Sequence, residues 1–207
     1  HTGASYSTII NNLNIPVWNT EAGAWDLGFY QGDYASFLPW GVSANISERF
    51  SKGMLTKPED LVKNFIESVG NGMSKYFYYD SRMFSSLDSF DTHPTIFEYD
   101  GTLRPKGVAY SVSASFVDKS TSIGNLKINN SVSAYLFDKA SNPVLVIWSN
   151  DKLNRQLRTS LSSSQYTVYD LMGNAKSASA GIIEFGRTPS YVVGRNVTVA
   201  DFQAKIK

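Results

Sequence analysis

An α/β portion followed by an all-β portion is the fold class this sequence predicts, and two patterns carry the prediction. Up to residue 118 the apolar spacing alternates between strand-like runs and helix-like stripes; beyond it the spacing falls to a period of two and stays there. Strand–helix–strand–helix order implies parallel strands, whereas short strands separated by turn residues imply an antiparallel sandwich or barrel.

In 7–13, Ile9, Ile10 and Leu13 have the spacing of a short apolar helix face. Ile15-Pro16-Val17-Trp18-Asn19-Thr20 reads as a buried strand, its Pro near the start where a missing donor is tolerated. Gly23 breaks the pattern just after Glu21, and a long aromatic stretch follows with Trp25, Phe29, Tyr30, Tyr34, Phe37 and Trp40. Thr56-Lys57-Pro58-Glu59 is a capping box: Thr56 caps a free backbone N–H, and Glu59 is expected to reach back to the N–H of Thr56. Leu61, Val62, Phe65, Ile66 and Val69 then form one apolar stripe, ended by Gly70-Asn71-Gly72, residues that accept positive φ.

Tyr76-Phe77-Tyr78-Tyr79 reads as a second strand, closed by Asp80. A loop leads to a helix starting near Pro105, with Val108, Val112 and Phe116 in one row and Ala109, Ser113 and Val117 in the next. After a short link at 118–122 the strands are expected at 132–137, 144–148, 156–161, 166–171, 181–185 and 191–193, uninterrupted by any helix. The link is short enough that the sandwich should pack directly on the α/β part. The division expected is 1–118 and 119–207.

Composition narrows the function classes. Of 207 residues, 42% are apolar and 18% charged, which supports a packed core rather than disorder. A net charge of +1, with no Lys/Arg run, leaves no electrostatic footprint for nucleic acid or an acidic membrane. No apolar run approaches a membrane helix. Without cysteine, disulfides and thiolate metal sites are ruled out. Sequons occur at Asn45, Asn129 and Asn196, as chance in an Asn/Ser/Thr-rich chain also allows. The chain starts at His1 without a leader, so the expectation is a processed chain or a fragment.

In parallel sheets, reactive groups sit at the carboxyl ends of strands, and two acids occupy those places: Glu21 and Asp80. A period of two puts Val17, Asn19 and Glu21 on one face, so Asn19 is expected to bond near the Glu21 carboxylate. Trp25 and Trp40 are either platforms for the apolar faces of sugars or anchors for their loop. One of Tyr78 and Tyr79 should touch the site while the other faces a core. Other chemistries lack support. His93 has no nucleophile elbow to serve, Asp88, Asp91 and Asp100 lack calcium-loop spacing, and Gly70-Asn71-Gly72 is a helix stop rather than a phosphate cradle.

Pro16-Val17-Trp18-Asn19-Thr20-Glu21-Ala22-Gly23 resembles strand seven of the clan A retaining glycoside hydrolases, whose nucleophilic carboxylate follows Thr or a similar residue at that strand's end. The run 75–80 falls where strand eight should follow, ending in tyrosines where many members carry Trp. Thr102-Leu103-Arg104-Pro105-Lys106-Gly107-Val108-Ala109-Tyr110 resembles the start of the last barrel helix. Tyr169-Asp170-Leu171-Met172-Gly173-Asn174 and Arg187-Thr188-Pro189-Ser190-Tyr191-Val192 resemble the β-sandwich that often follows such barrels.

The resemblance implies the last strand–helix units of a (β/α)8 barrel plus a sandwich. It also implies Glu21 as nucleophile, and Asn19, Trp25, Trp40, Tyr79 and Asp80 as substrate-binding residues. It implies no cofactor and a secreted or extracytoplasmic location. The acid/base belongs at the end of strand four, so it and most of a barrel of about 250 residues are expected elsewhere, as an N-terminal half on another chain or a second copy. The rival reading is a non-catalytic carbohydrate-binding or structural module.

Overall fold

A computed structural model describes residues 10, 15–22, 58–78, 96–97, 101, 103–151, 153–177 and 179–206; at Glu21 this covers the backbone only. Among these residues two parallel strands, β1 (Trp18–Ala22) and β2 (Lys75–Tyr78), flank helix α1 (Pro58–Gly70), and helix α2 (Pro105–Val117) follows. The rest is antiparallel: β3 (Thr121–Asn125), β4 (Val132–Lys139), β5 (Asn142–Ser149), β6 (Arg155–Arg158), β7 (Tyr166–Tyr169), β8 (Ala175–Lys176), β9 (Ile182–Phe185), β10 (Ser190–Gly194), and a closing helix α3 (Val199–Lys205). A six-stranded sheet runs β3-β4-β5-β10-β7-β8, and β6 pairs with β9 in a separate two-stranded sheet.

The stripe predicted for α1 is its buried face: Leu61, Val62, Phe65 and Ile66 are all within the core. Each such side chain contributes about 1.5–3 kcal/mol of burial. The capping box is only half visible, since Thr56 lies outside the described residues. The Glu59 carboxylate reaches the sandwich: Oε1 meets Arg187 Nε at 2.6 Å, and Oε2 accepts from Thr188 Oγ1 at 3.2 Å. Arg187 is half exposed, so the ion pair contributes at most about 1 kcal/mol.

At the other end of α1, the two glycines have different tasks. Gly72 takes φ +98°, as a helix stop requires, but Gly70 is there for space: a Cβ would stand 2.3 Å from the Tyr135 ring. The rows of α2 also sort themselves by size. Ala109, Ser113 and Val117 are buried, and Val108, Val112 and Phe116 only partly so; the small Ala109 and Ser113 let the helix approach the sheet.

The large sheet is covered on both faces. Along β4, Val132, Ala134 and Leu136 point into one core with Leu157, Ile183, Phe185 and Phe202. Tyr135 and Phe137 point into the other, with Val62, Phe65, Ile66 and Ala109 from the helices. In β5, Leu145 and Ile147 belong to the first core and Val144, Val146 and Trp148 to the second. That double cover explains why 144–148 reads as an unbroken apolar run rather than an alternation. It also bears out the expectation that the sandwich packs directly on the α/β part.

Three elements were not foreseen. β3 begins within the link read at 118–122 and continues into residues for which no strand was expected. β8 is two residues long. α3 adds a helix where only strands were expected; its N-cap Thr198 accepts from the Asp201 N–H, and Phe202 closes the sandwich core. β6 lies earlier than the predicted 156–161.

Candidate active site

The site predicted from the sequence lies at the carboxyl end of the β1–β2 pair. The two strands are parallel, with Trp18 opposite Lys75, Asn19 opposite Tyr76, and Ala22 opposite Tyr78. From Asn19 to Ala22 the register advances three residues on β1 but two on β2. One extra residue in β1 therefore falls at Thr20–Glu21, a bulge of the kind that re-aims a side chain next to a reactive centre. The expectation that Asn19 and Glu21 share a face rests on the Glu21 side chain, which lies outside the described residues.

Residues in register share a face of a sheet. Tyr76 faces the helices: its ring lies edge-on to Phe65 at 5.3 Å and beside Tyr110 at 6.1 Å, and its hydroxyl donates to Asn64 Oδ1 at 2.9 Å. Burial raises its phenol pKa above the ordinary tyrosine value, with the neighbouring Tyr110 and Tyr78 adding to the rise. Tyr78 also reaches Tyr110, at 6.1 Å, and so is the member of the Tyr78/Tyr79 pair that faces a core. Asn19 shares this helix-side face by register and is half-buried; Ala22 is buried opposite Tyr78.

The other face of the pair has no cover among the described residues. Trp18 is 50% and Phe77 46% exposed, their rings 6.0 Å apart, and the Lys75 ammonium sits 4.3 Å from the centre of the Trp18 ring. This group was missed in the sequence as a unit. The signal for it was the alternation Lys75/Phe77 against Tyr76/Tyr78 in β2.

Glu21 is the fourth residue of the five-residue β1, at its carboxyl end. Trp25, Trp40, Tyr79 and Asp80 lie outside the described residues, as do His93, Asp88, Asp91 and Asp100. Among the described residues no group of His, Asp or Glu is placed to hold a metal. No helix among them is long and apolar enough to cross a membrane. A cleft of about 470 Å³ opens between Phe65, Tyr76, Tyr110, Ser120 and Phe137. It adjoins Gly72–Lys75, the amino-terminal approach to β2, and so sits at the end of the strands opposite Glu21.

No family model and no curated protein matches the sequence. Solved structures do match its fold. A family 39 glycoside hydrolase from the gut symbiont Bacteroides cellulosilyticus WH2 is similar over 93% of this chain and 38% of its own, with a TM-score of 0.66 and 16% identity. A glycoside hydrolase family 30 subfamily 8 xylanase from Clostridium acetobutylicum is similar over 91% of this chain and 45% of its own, with a TM-score of 0.51 and 12% identity. This chain thus spans less than half the length of either. Its fold is that of a partial barrel, the last strand–helix units, followed by an antiparallel sandwich; no closed barrel is present among the described residues.

Proposed function

We propose that this chain is the carboxyl-terminal part of a clan A retaining glycoside hydrolase, with Glu21 as its nucleophile. The observation that carries the reading is a carboxylate residue at the carboxyl end of a parallel strand, within a bulge, in a fold shared with glycoside hydrolases. In this reading residues 1–118 belong to the barrel and 119–207 to the sandwich. Asn19, Trp25, Trp40, Tyr79 and Asp80 contact the sugar, Asn19 from the helix-side face at the edge of the site. The protein is secreted or extracytoplasmic.

The chemistry follows from the carboxylate. Ionised Glu21 attacks the anomeric carbon as the glycosidic C–O bond breaks, and the leaving oxygen takes a proton from a second carboxylic acid about 5–5.5 Å away. Water then cleaves the glycosyl ester, its proton passing to that same second group, and Glu21 is regenerated. The second acid belongs to polypeptide beyond these 207 residues, an N-terminal barrel half on another chain or a second copy.

The test is a mechanism-based 2-fluoroglycoside applied to the assembled protein. Covalent mass on the peptide containing Glu21, and loss of turnover in Glu21→Gln with an unchanged far-UV spectrum, are the expected outcomes. Reversible sugar binding with no covalent adduct, and activity indifferent to Glu21→Gln, would instead identify a carbohydrate-binding module.

A further inference from the structure

The sandwich carries a cleft of its own, of about 560 Å³, at the β6–β9 pair. Its size falls within the roughly 300–1,000 Å³ of small-ligand sites. Phe185 is its one large apolar residue and is buried; Asn154, Arg155, Gln156, Lys176 and Glu184 make the lining polar. The turn at 71–74 between α1 and β2 is short, so the amino end of α1 lies level with the carboxyl ends of the two strands. Glu59, in the first turn of α1, holds Arg187 and Thr188, which follow Gly186 of the cleft in the chain. The polar cleft therefore lies towards the end of the molecule that carries Glu21, and the cleft beside Tyr110 at the other end.

The polar side chains of this cleft are held in place. Arg155 Nε donates to Ser149 Oγ at 3.1 Å, and its Nη2 to the Asp151 carboxylate. Gln156 Nε2 donates to Glu184 Oε1 at 3.0 Å, and Lys176 Nζ to Ser190 Oγ at 3.2 Å. Gly186 leaves room for Asn154: a Cβ there would stand 2.8 Å from Asn154 Oδ1, and no positive φ asks for glycine at that position. These bonds leave groups of both kinds unused among the described residues. Glu184 Oε2 and Gln156 Oε1 can accept, the remaining N–H groups of Arg155 and Lys176 can donate, and the Asn154 amide can do either.

We propose that this cleft is a second glycan-binding site, taking an uncharged stretch of polysaccharide apart from the reacting carboxylate. The charges of Arg155 and Lys176 are balanced by those of Asp151 and Glu184, so the site favours no net charge in its ligand. An inorganic anion only accepts hydrogen bonds and would meet Glu184; a cation would meet Arg155 and Lys176. A sugar hydroxyl both donates and accepts, and adjacent hydroxyls on one ring match donors and acceptors set side by side. The choice of a glycan over another neutral polyol rests on the glycoside hydrolase reading above; the placement of binding on the sandwich goes beyond it. A polymer held here stays tethered at the end of the molecule that carries Glu21, which raises its local concentration there.

The experiment titrates the isotope-labelled chain with xylohexaose, maltohexaose and mannohexaose, and with inorganic sulfate as the anionic control. Binding is followed by NMR at the side-chain amides of Asn154 and Gln156 and at Arg155 Nε–H. At least one of the neutral oligosaccharides should shift these signals, and sulfate should not. Glu184→Ala, which removes a charged acceptor, should weaken that binding about tenfold, and Asn154→Ala about fivefold. Both residues are exposed, so both variants should fold as the parent chain does. Four results would overturn the proposal: no shift up to the solubility limit of each probe, sulfate acting as well as the sugars, shifts confined to the cleft beside Tyr110, or binding indifferent to both substitutions. Binding is read without turnover, so this site and the nucleophile are judged apart. Oligosaccharide bound here with no covalent mass on Glu21 removes the nucleophile alone, and a labelled Glu21 with nothing bound here removes this site alone.

Discussion

The two sheets of this chain that carry its helices differ in how completely they are closed. The six-stranded sheet has a core on each face, and its central strands β5 and β10 have a neighbour on each side. The β1–β2 pair has helices on one face and exposed aromatic side chains on the other. Both sheets touch the same helix layer, so the difference lies in what covers the far side. The large sheet is covered by β6, β9 and α3 from within the chain, whereas the pair has no comparable cover among the described residues. Stability in the isolated chain should therefore be concentrated in the large sheet, and the cost of a substitution should depend on which sheet it strikes.

The largest effect is expected at Trp148, which is 2% exposed and stacked on Tyr135 at 5.7 Å in the core between the helices and the sheet. Trp148→Ala should cost about 3–5 kcal/mol of unfolding free energy in urea. A cost under about 1 kcal/mol would mean that this side of the sheet is not a true core.

A smaller and pH-dependent effect is expected from the tyrosines buried along that same face. Burial pushes the Tyr191 phenol up to about 12, although the buried Ser113 hydroxyl at 2.5 Å favours the charged form. A group whose pKa is higher in the folded than in the unfolded chain gives stability that is complete below the unfolded value. That stability is lost as pH rises through the folded one. Unfolding free energy should thus hold up to about pH 10 and fall between 10 and 12, and Tyr191→Phe should flatten that decline. An equal decline in the variant would remove Tyr191 as its source.

The smallest effect is expected on the face of the pair that carries Trp18. Trp18→Ser in the isolated chain should shift the unfolding midpoint by no more than about 0.5 kcal/mol, as for other surface substitutions. A loss comparable to that of Trp148→Ala would show that the face is already covered within this chain, and the contrast between the two sheets would disappear.

Much of this architecture was legible in the sequence because apolar spacing encodes it. The stripe Leu61, Val62, Phe65 and Ile66 and the runs at 132–137 and 144–148 appear where expected. What escaped has physical reasons. β3 is an edge strand whose one large apolar residue, Ile123, is 45% exposed, so it carries no burial pattern to read. α3 has Phe202 but no stripe; the signal present was Thr198 three residues before Asp201, a cap rather than a period. At the site, no count by twos can see the extra residue that the register carries between Asn19 and Ala22. The aromatic and acidic residues expected around the sugar, Trp25, Trp40, Tyr79 and Asp80, lie outside the described residues.

One consequence of the doubly covered sheet concerns how the chain can be divided. Its β4, β5 and β10 strands act as a party wall, with Tyr135, Phe137, Val146, Trp148 and Tyr191 belonging to the helices' side of the house. Severing the polypeptide near residue 118 would bare that side to water, so neither portion is a detachable module that could be shuffled onto an unrelated neighbour. They must be inherited, expressed and folded as one piece.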